Sequence, residues 1–578
     1  MRQASNQSIA NILREIGLIL EAEDVAFKPQ AYATAADTVE QAPEELWQLY
    51  KKCGAECINA LPGIGASIAE KIEELLTTGR LAYYDALKKK YPVDMLALTS
   101  IANVGPKTAV TLYRELGVKN LRALERAARK GLIRKIPGFG RRSEELILRG
   151  LGFLNEQAGR FRLHDALPLA ETVVAQLKKL PGVISCEAAG SIRRRKETVG
   201  DIDILLLTSK PTLAAEAFVA LPEIADVTEQ GPTLIRVRFR FGVGGDLRIL
   251  EPETYGSALV HFTGSKEHNI LLRELAIKKG MKLSEYGLFK GEKHLSCPTE
   301  EKVYSHLGMP WVPPEIREGG DEVKAALKNT LPNLIPYGSI QGDLQVQTDW
   351  TDGAASIEEM AKEAKARGLS YIAITDHTQT LAVAGGLNEK RLTEQGKEID
   401  RVNKTLRGFR VLKSTECDVR KDGNLDLNLR ALKTLDIVSV SIHSFFGMAE
   451  TEMTERMICA MKHPLVNIFF HPTGRVINAR EPYALDMPRV LRAAKEYGVA
   501  MEINGSDRLD LKDTHVRMAV ELGVKLVINS DAHAPDQYNN IAFGISQARR
   551  GWATTDDVLN TKPAETLLHT LKEMKQGR

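Results

Sequence analysis

The sequence predicts a multidomain protein with a helical N-terminal region, a central α+β region and a C-terminal α/β barrel. Three observations predict this fold class. Gly-x-Gly turns recur between amphipathic runs before residue 150, and an Asp-x-Asp pair opens an apolar strand at residue 201. Beyond residue 340, apolar strands alternate with amphipathic helices. With 578 residues, the chain is long enough to form several domains.

Three turns in the N-terminal region follow a pattern typical of helix-hairpin-helix elements. In the middle turn, Asn103 stands in the first glycine position. Glycines let the backbone approach a ligand, and free N–H groups at the start of the next helix can hold a phosphate. One such turn is usually an ordinary connection between helices. Three copies predict sequence-independent binding of the DNA backbone through Gly63, Gly65, Gly105, Gly138 and Gly140.

The central region carries two carboxylates on one face of a predicted strand. Asp201 and Asp203 open an apolar run, and side chains alternate along a strand, so both carboxylates point the same way. They repel each other unless a cation lies between them, and Mg²⁺ prefers such oxygen ligands. Asp246 is the acid in the strand 246–250, which makes it the expected third ligand.

A Gly-Ser turn and a basic cluster lie directly upstream of this strand. Gly190 and Ser191 offer backbone N–H groups, and residues 193–195 offer guanidinium groups, which together suit a triphosphate. An isolated Asp-x-Asp pair is most often part of a solvated loop. Its combination with this turn predicts metal-assisted nucleotidyl transfer with two Mg²⁺ ions.

Together with the segment 260–274, these motifs resemble the family X DNA polymerases, the group that includes DNA polymerase beta. The resemblance covers residues 1 to about 315. It implies metal ligation by Asp201, Asp203 and Asp246, with Asp246 nearest the primer 3′-hydroxyl. It further implies contacts to the nucleotide and template at Gly190, Ser191, Arg194, Phe262, Gly264, Asn269 and Arg273. One departure is His261, where the family usually has Tyr; this position bears on discrimination of the sugar.

Lys71 follows the first Gly-x-Gly turn on a predicted helix. In the resembling polymerases, a lysine at this place forms a Schiff base with the abasic sugar and removes 5′-deoxyribose phosphate. Lys71 is therefore a candidate lyase residue, and the alternative is a lysine that contacts phosphate or solvent. Ser67 stands where the family can carry a further basic residue, which predicts a weaker grip on the 5′-phosphate.

Beyond residue 340, residues that commonly bind metals recur at the ends of apolar strands. The predicted strands are 371–375, 409–415, 437–442, 466–470 and 525–530, and they end in Asp376-His377, Glu416, His443, His471 and Asp531-Ala532-His533. Functional residues of an α/β barrel collect at the C-terminal ends of its strands. A lone histidine after a strand is usually packed or capped, but this recurrence predicts a metal site.

This pattern resembles the polymerase-and-histidinol-phosphatase (PHP) domain, a distorted (βα)7 barrel found at the C-terminus of bacterial family X polymerases. There it carries a trinuclear site and acts as a Mn-dependent 3′→5′ exonuclease or phosphoesterase. The resemblance implies a Mn²⁺ or Zn²⁺ site at Asp352, His377, Glu416, His443, His471, Asp531 and His533. The first PHP motif normally reads Asp-Leu-His-x-His, but this chain has Gln345 and Gln347 in place of both histidines. Glutamine is a poor substitute for imidazole on a transition metal, so one metal position is expected to be weakened or lost.

The motifs, and Pro- and Gly-rich breaks at 309–320 and 331–336, define the expected domains. These are a helical lyase-like DNA-binding domain (1–85), a helix-hairpin-helix fingers-like domain (86–155), a nucleotidyltransferase palm (156–250), a small α/β thumb-like domain that selects the nucleotide (251–315), a linker (316–340) and the PHP domain (341–578).

Composition indicates where DNA affinity can come from, whether cysteines are cross-linked and where the protein is located. The formal net charge of +3 is nearly neutral, so affinity for DNA must come from local clusters such as residues 193–196 and 88–90. Of the six cysteines, only Cys53 and Cys57 are close in sequence, on a predicted helix, and we expect neither a structural disulfide nor a zinc cluster. The absence of a secretory or transmembrane segment at the N-terminus predicts a cytoplasmic protein.

We therefore expect a monomeric, template-directed DNA polymerase that fills short gaps during repair, acting on gapped or primer-template DNA with deoxynucleoside triphosphates and Mg²⁺. Its PHP barrel is expected to be a weakened exonuclease, a nuclease-dead domain acting in structure or DNA handling, or a site that recruits other ligands. Two further classes stay open. One is a template-independent nucleotidyltransferase acting on RNA ends, which the hairpin turns, Asn269 and Arg273 disfavour. The other is a non-catalytic binder of DNA ends or gaps, which the polymerase carboxylates disfavour.

Overall fold

The computed structural model describes residues 5–42, 45–61, 63–101, 104–157 and 159–576. Asn103, expected to replace a glycine in the middle hairpin turn, lies outside these residues. The chain divides into two compact units: Met1–Ala158 with Asn478–Glu481, and Gly159–Ile477 with Pro482–Arg578. None of the helices in the described part of the chain is long and apolar enough to cross a membrane.

The first unit is helical. Its α-helices are α1 (Asn6–Ala22), α2 (Lys28–Gln41), α3 (Leu46–Cys53), α4 (Ala55–Asn59), α5 (Ala66–Thr78), α6 (Ala82–Lys90), α7 (Met95–Thr99), α8 (Pro106–Leu116), α9 (Leu121–Arg129) and α10 (Arg141–Gln157). The side chains of Ser5 and Asn120 accept backbone N–H groups at the starts of α1 and α9. Apolar faces of the helices bury one core, which includes Leu13 of α1 and Ile72 of α5.

The second unit begins with the α+β region that carries the Asp-x-Asp motif. Its elements are β1 (Phe161–Arg162), α11 (Leu163–Lys178), β2 (Val183–Ala188), α12 (Gly190–Arg193), β3 (Thr198–Val199), β4 (Asp201–Thr208), α13 (Pro211–Val219), β5 (Ile224–Gln230), β6 (Leu234–Phe239) and β7 (Gly244–Leu250). Five strands form a sheet in the order β2-β4-β7-β6-β5. Only the β4–β7 pair of this sheet is parallel, and it brings the two acidic strands side by side.

A small α/β region follows. It consists of α14 (Tyr255–Thr263), α15 (Lys266–Lys278), the antiparallel strands β8 (Lys282–Ser284), β9 (Gly287–Lys290) and β10 (Lys293–Leu295), α16 (Glu300–His306) and α17 (Glu322–Leu327). The segment 316–340, predicted to be a linker, is packed: Ile316 and Val323 lie in the core of this region, and Ile335 lies in the core of the barrel that follows.

The rest of the chain forms a barrel of parallel strands and outer helices. Its elements are β11 (Gly342–Val346), α18 (Ile357–Ala366), β12 (Tyr371–Ile374), α19 (Glu389–Thr405), β13 (Arg410–Lys413), β14 (Glu416–Asp418), α20 (Leu429–Leu432), β15 (Val438–Ser441), α21 (Glu450–Lys462), β16 (Val466–Phe469), α22 (Met487–Glu496), β17 (Ala500–Asn504), α23 (Asp513–Leu522), β18 (Leu526–Asn529), α24 (Ile541–Arg550) and α25 (Ala564–Gln576).

Two parallel sheets, β11-β12-β13 and β14-β15-β16-β17-β18, make up the barrel wall. A parallel bridge between Val346 of β11 and Ala532 joins the sheets at one edge, and a second bridge, between His377 after β12 and Glu416 of β14, joins them where β13 leads into β14. The predicted strand 409–415 corresponds to β13, and Glu416, expected to follow it, instead begins β14, because the chain changes sheets between the two strands. The predicted multidomain fold class is confirmed.

The structure corrects the expectation for the cysteines. Gly54 has φ +69° and separates α3 from α4, so Cys53 and Cys57 do not share one helix. The two Cα atoms lie 5.7 Å apart and the side chains form a disulfide, which was not expected.

Candidate active sites

The polymerase-like carboxylates meet at the parallel β4–β7 pair. Asp203 is directly opposite Asp246, and Asp201 lies two residues earlier on the same face of β4. The apolar side chains of Ile202 and Ile204 point to the other face and are fully buried, which fixes the register of the strand. The structure thus brings the three predicted metal ligands together.

The electrostatics of this carboxylate cluster favour a cation. Burial, and the charges of Asp201 and Asp246, raise the pKa of Asp203 to about 7. Arg248 donates to Asp246 Oδ2 over 3.1 Å, and Nε of Arg236 lies 3.5 Å from the same oxygen, so two arginines border the carboxylate cluster at Asp246. An all-oxygen donor set with mutual repulsion fits Mg²⁺.

Gly190 packs against the second carboxylate. A Cβ at this position would lie 2.7 Å from Asp203 Oδ2, and the residue has φ +60°. Both facts require glycine, so the close approach of the Gly-Ser turn to the carboxylates has a steric basis.

Arg194, at the end of the same turn, is held in a fixed direction. Its Nε lies 3.1 Å from the Glu318 carboxylate, and its Nη1 donates to the carbonyl of Thr263. Among the described residues, Nη2 of Arg194 has no hydrogen-bond partner. One edge of the guanidinium is therefore available to an anion.

The segment predicted to check the nucleotide spans the end of α14 and the start of α15. Phe262 packs under Arg248, whose guanidinium lies 4.3 Å from the ring centroid. Asn269 donates to the carbonyl of His261 over 2.7 Å, and Arg273 donates to the carbonyl of Asn269 over 3.3 Å. Phe262 is thus connected through Arg248 to the ligand Asp246, a link that the sequence alone does not show.

Two residues complete this segment. Gly264 ends α14 with φ +68°, and Nη1 of Arg194 lies 3.1 Å from the place of its missing Cβ. His261 lies 3.7 Å from Glu285, and burial lowers its pKa. A neutral imidazole therefore stands where the family usually has a phenol.

The hairpin glycines of the first unit lie at the predicted helix starts. Gly65 and Gly105 directly precede α5 and α8, and Gly140 directly precedes α10. Gly63 and Gly138 have φ +71° and +88° within the turns. Among the described residues, and apart from chain neighbours, a Cβ at Gly65, Gly105, Gly138 or Gly140 would meet no atom within 4 Å, whereas a Cβ at Gly63 would lie 2.6 Å from the Thr34 methyl group.

Lys71 lies on α5, one turn after the first hairpin. Its Nζ donates to the carbonyl and the hydroxyl of Ser67, both over 2.9 Å, and lies 5.4 Å from the ring centroid of Tyr83. Lys71 is half-buried, and its amine lies between Ser67 and Tyr83.

In the barrel, five of the seven predicted ligands form two overlapping groups; four of the five lie after strands, and Glu416 begins β14. Asp352, His377 and His533 form one, and His377, Glu416 and His443 form the other; within each group the ligand atoms lie within 4.8 Å of one another. His471 Nε2 lies 2.7 Å from Glu416 Oε1. Asp531 belongs to neither group, and its Oδ1 lies 4.0 Å from Nδ1 of His533. Within the described part of the chain, the buried Nδ1 atoms of His377 and His471 have no hydrogen-bond partner, which suits imidazoles that ligate a metal.

The two glutamines of the first motif both contact Glu416. Nε2 of Gln345 and of Gln347 donate to the same oxygen, Oε2, over 3.1 and 2.8 Å. Both polar atoms of the Gln345 amide are hydrogen-bonded, because its Oε1 accepts from Nδ2 of Asn504 over 3.0 Å. Among the described residues, the buried Gln347 Oε1 has no hydrogen-bond partner. Amide N–H groups point at the carboxylate where imidazole lone pairs are expected, so Gln347 Oε1 is the oxygen that these two amides leave for a cation.

Sequence reasoning missed several polar residues of the barrel site. Glu502 and Asn504 lie on β17, a strand that was not predicted. Asn504 donates to Asp531, and Glu502 accepts from the backbone N–H of His471 over 2.7 Å. Asp418 accepts from the backbone N–H of His443 over 3.2 Å. Alternation of apolar and polar residues over 500–504 is the signal that identifies this strand.

Comparison with known proteins places these sites in a family. Family models match a helix-hairpin-helix domain over residues 4–81, a SAM-like helix-hairpin-helix tandem over 95–152, a DNA polymerase beta thumb over 258–318 and a PHP domain over 343–506.

Among curated proteins, "DNA polymerase/3'-5' exonuclease PolX" of Bacillus subtilis is 37% identical and covers 98% of this chain and 99% of its own length. DNA polymerase lambda of Rattus norvegicus is 26% identical over 55% of this chain and 58% of its own length. A probable phosphatase of a Thermoanaerobacter species is 32% identical over 38% of this chain and 90% of its own length. The chain belongs to the family X DNA polymerases that carry a PHP domain, which confirms the family predicted from the motifs.

Proposed function

We propose that this protein is a template-directed DNA polymerase that fills short gaps in DNA repair by two-metal nucleotidyl transfer. The observation that carries the proposal is the parallel pairing of Asp203 with Asp246, with Asp201 on the same face and Gly190 in contact with Asp203. Gapped or primer-template DNA and deoxynucleoside triphosphates are the proposed substrates. The Bacillus subtilis relative, whose name includes both activities, supports this assignment over the full chain.

Each residue has a defined part in the proposed reaction. Asp201, Asp203 and Asp246 would hold two Mg²⁺ ions, and this metal pair would supply the positive charge needed to activate the primer 3′-hydroxyl and to stabilise the leaving pyrophosphate. Arg194 presents Nη2 to the triphosphate, and the backbone of Gly190 and Ser191 lies against it.

The remaining residues of the proposed reaction hold the base pair and the duplex. Phe262, Gly264, Asn269 and Arg273 line the side that faces the new base pair. The hairpin turns hold the DNA backbone without reading its sequence.

For the barrel, we propose a weakened Mn-dependent 3′→5′ exonuclease. Asp352, His377, His443, His471, Asp531, His533 and Glu416 supply nitrogen and oxygen donors that suit Mn²⁺ or Zn²⁺. The alternative is a nuclease-dead barrel that acts only in structure or DNA handling. Gln345 and Gln347 favour this alternative, because they stand in place of two imidazole ligands. Their amides also occupy one oxygen of the Glu416 carboxylate.

The polymerase assignment is tested by primer extension with Asp203→Ala. We expect extension to be abolished while affinity for primer-template DNA is kept. Asp226→Ala is the matched control, because Asp226 is an exposed aspartate on β5 of the same sheet. Normal extension by Asp203→Ala would contradict the assignment. Omitting the template strand separates template-directed synthesis, which then stops, from end addition, which continues.

The two proposals for the barrel are separated by degradation of a labelled primer 3′-end with Mn²⁺ and no nucleotides. Degradation that is lost in His533→Ala but kept in His569→Ala supports the exonuclease; His569 is an exposed histidine on α25. No degradation by the wild type, with extension intact on adding nucleotides and Mg²⁺, supports the nuclease-dead barrel.

A further inference from the structure

A carboxylate of the small α/β region lies between an arginine of the α+β region and an arginine of the barrel. Glu318 Oε1 is 3.1 Å from Nε of Arg194 and 2.9 Å from Nη1 of Arg550. Lys196 Nζ lies 3.3 Å from the other oxygen, Oε2. Three cations thus contact one carboxylate. Two of them, Arg194 and Lys196, belong to the segment 190–197 beside the polymerase carboxylates, which we call the basic turn.

Arg550, at the end of α24, is a buried and fully engaged side chain. Its Nε and Nη2 donate to Asp513 Oδ2 over 2.9 and 2.6 Å. Its Nη1 also donates to the backbone carbonyl of Arg194 over 2.7 Å. The guanidinium therefore holds both the main chain of Arg194 and the carboxylate that orients the Arg194 side chain.

A second contact attaches the same turn to the barrel. Arg475 donates to Glu197 over 2.8 Å. Nearby, His164 of α11 stacks on Phe543 of α24 with ring centroids 3.9 Å apart. The basic turn therefore makes two separate contacts with barrel residues, one through Arg550 and one through Arg475.

We propose that Arg550 of the PHP barrel is a positioning residue for the incoming nucleotide, acting through Glu318 and Arg194. This inference rests on the proposed polymerase function and on the role of Arg194 in binding the triphosphate. With Nε held by Glu318 and Nη1 by the Thr263 carbonyl, Nη2 of Arg194 is the donor that remains for a phosphate oxygen.

Removing Arg550 changes the balance of charge around Glu318. Burial alone would raise the pKa of the Glu318 carboxyl, but the guanidinium groups of Arg550 and Arg194 keep it below its usual value. Without Arg550, only Arg194 and Lys196 of these three cations still pair with the charged Glu318 carboxylate. The carboxylate then competes with the triphosphate for Arg194 and Lys196. The Arg194 main chain also loses its hydrogen bond from the barrel.

The test is steady-state single-nucleotide extension on a primer-template, with KM for the nucleotide and kcat measured separately. Arg550→Met is expected to raise KM by about 10-fold while kcat changes by less than about 3-fold, since one indirect charged contact to the ground-state ligand is lost. Arg489→Met is the matched control, because Arg489 is a barrel arginine whose ion pair with Glu455 is exposed.

Because Arg550 is buried, Asp513→Asn provides a variant of nearly identical shape. It weakens the hold on Arg550 and is expected to raise KM by about 3-fold, in the same direction as Arg550→Met. Thermal unfolding shows that each variant is folded. If folded Arg550→Met and Asp513→Asn keep the wild-type KM, or if Arg489→Met raises KM equally, the inference is overturned. If the wild type itself does not extend a primer, the proposed function fails instead.

Discussion

Replacing Gly190 with alanine tests whether the turn and the carboxylates form one unit. The Cβ of alanine would lie 2.7 Å from Asp203 Oδ2, whereas ordinary van der Waals contact begins at 3.4 Å. The carboxylate, or the turn that carries Arg194, must therefore move by roughly 0.7 Å. A misplacement of about 1 Å at a reacting centre costs on the order of 10²-fold in rate. We expect Gly190→Ala to lower the extension rate at saturating nucleotide by about that factor.

The same substitution also strains the backbone, and this effect needs its own control. Gly190 has φ +60°, and an alanine there costs roughly 1–2 kcal/mol of stability. Gly280 has φ +69°, and a Cβ there would meet no atom within 4 Å. Gly280→Ala therefore imposes similar backbone strain without a steric contact, and it should leave extension unchanged.

The assay is single-turnover extension of a primer-template, with thermal unfolding and DNA affinity measured on the same preparations. Both variants should unfold at a lower temperature and bind DNA normally, because neither glycine belongs to a hairpin turn. If Gly190→Ala extends within about 3-fold of Gly280→Ala, the contact with Asp203 does not position the metal ligands and the reasoning is refuted.

Three further predictions concern the barrel and the first unit. Replacing Gln345 and Gln347 together with histidine should add about one tightly bound transition metal per chain, measured by elemental analysis; an unchanged metal content would show that the amides do not block a metal position. Burial lowers the pKa of His515 to about 4, whereas an unfolded histidine titrates near pH 6.5. The unfolded state therefore gains a proton first as the pH falls. The wild type should lose about 2 kcal/mol of stability relative to His515→Gln between pH 7.5 and pH 5, and equal pH profiles would contradict this. Borohydride should trap the wild type on DNA with an abasic site, and Lys71→Ala should lose this adduct while keeping DNA affinity; trapping that persists would assign the Schiff base to another amine.

The polymerase carboxylates were predictable because their geometry follows from the backbone. A period of two places Asp201 and Asp203 on one face, and a neighbouring strand with a single acid identifies Asp246. No long-range information is needed beyond the pairing of two strands. The same holds for the hairpin glycines, since the turn and the following helix are local features.

The barrel site was predicted only in part, because its polar contacts depend on strands distant in sequence. Glu502 and Asn504 are buried acidic and amide groups on β17, and a charged residue within a short apolar run weakens the signal for a strand. Their position against His471 and Asp531 comes from the closure of the barrel. The disulfide between Cys53 and Cys57 was missed for a local reason, because the break at Gly54 was not recognised.

The two sites also differ in how they tolerate substitution. At the polymerase site, Asp203 and Asp246 are fixed by strand register, and Gly190 leaves no room for a different side chain. At the barrel site, Glu416 can satisfy its oxygens with histidine or with the amides of Gln345 and Gln347. A buried carboxylate paired with donors of either kind avoids the cost of an unpaired charge. The barrel can therefore lose metal ligands and keep its fold, and it can still support the basic turn through Arg550.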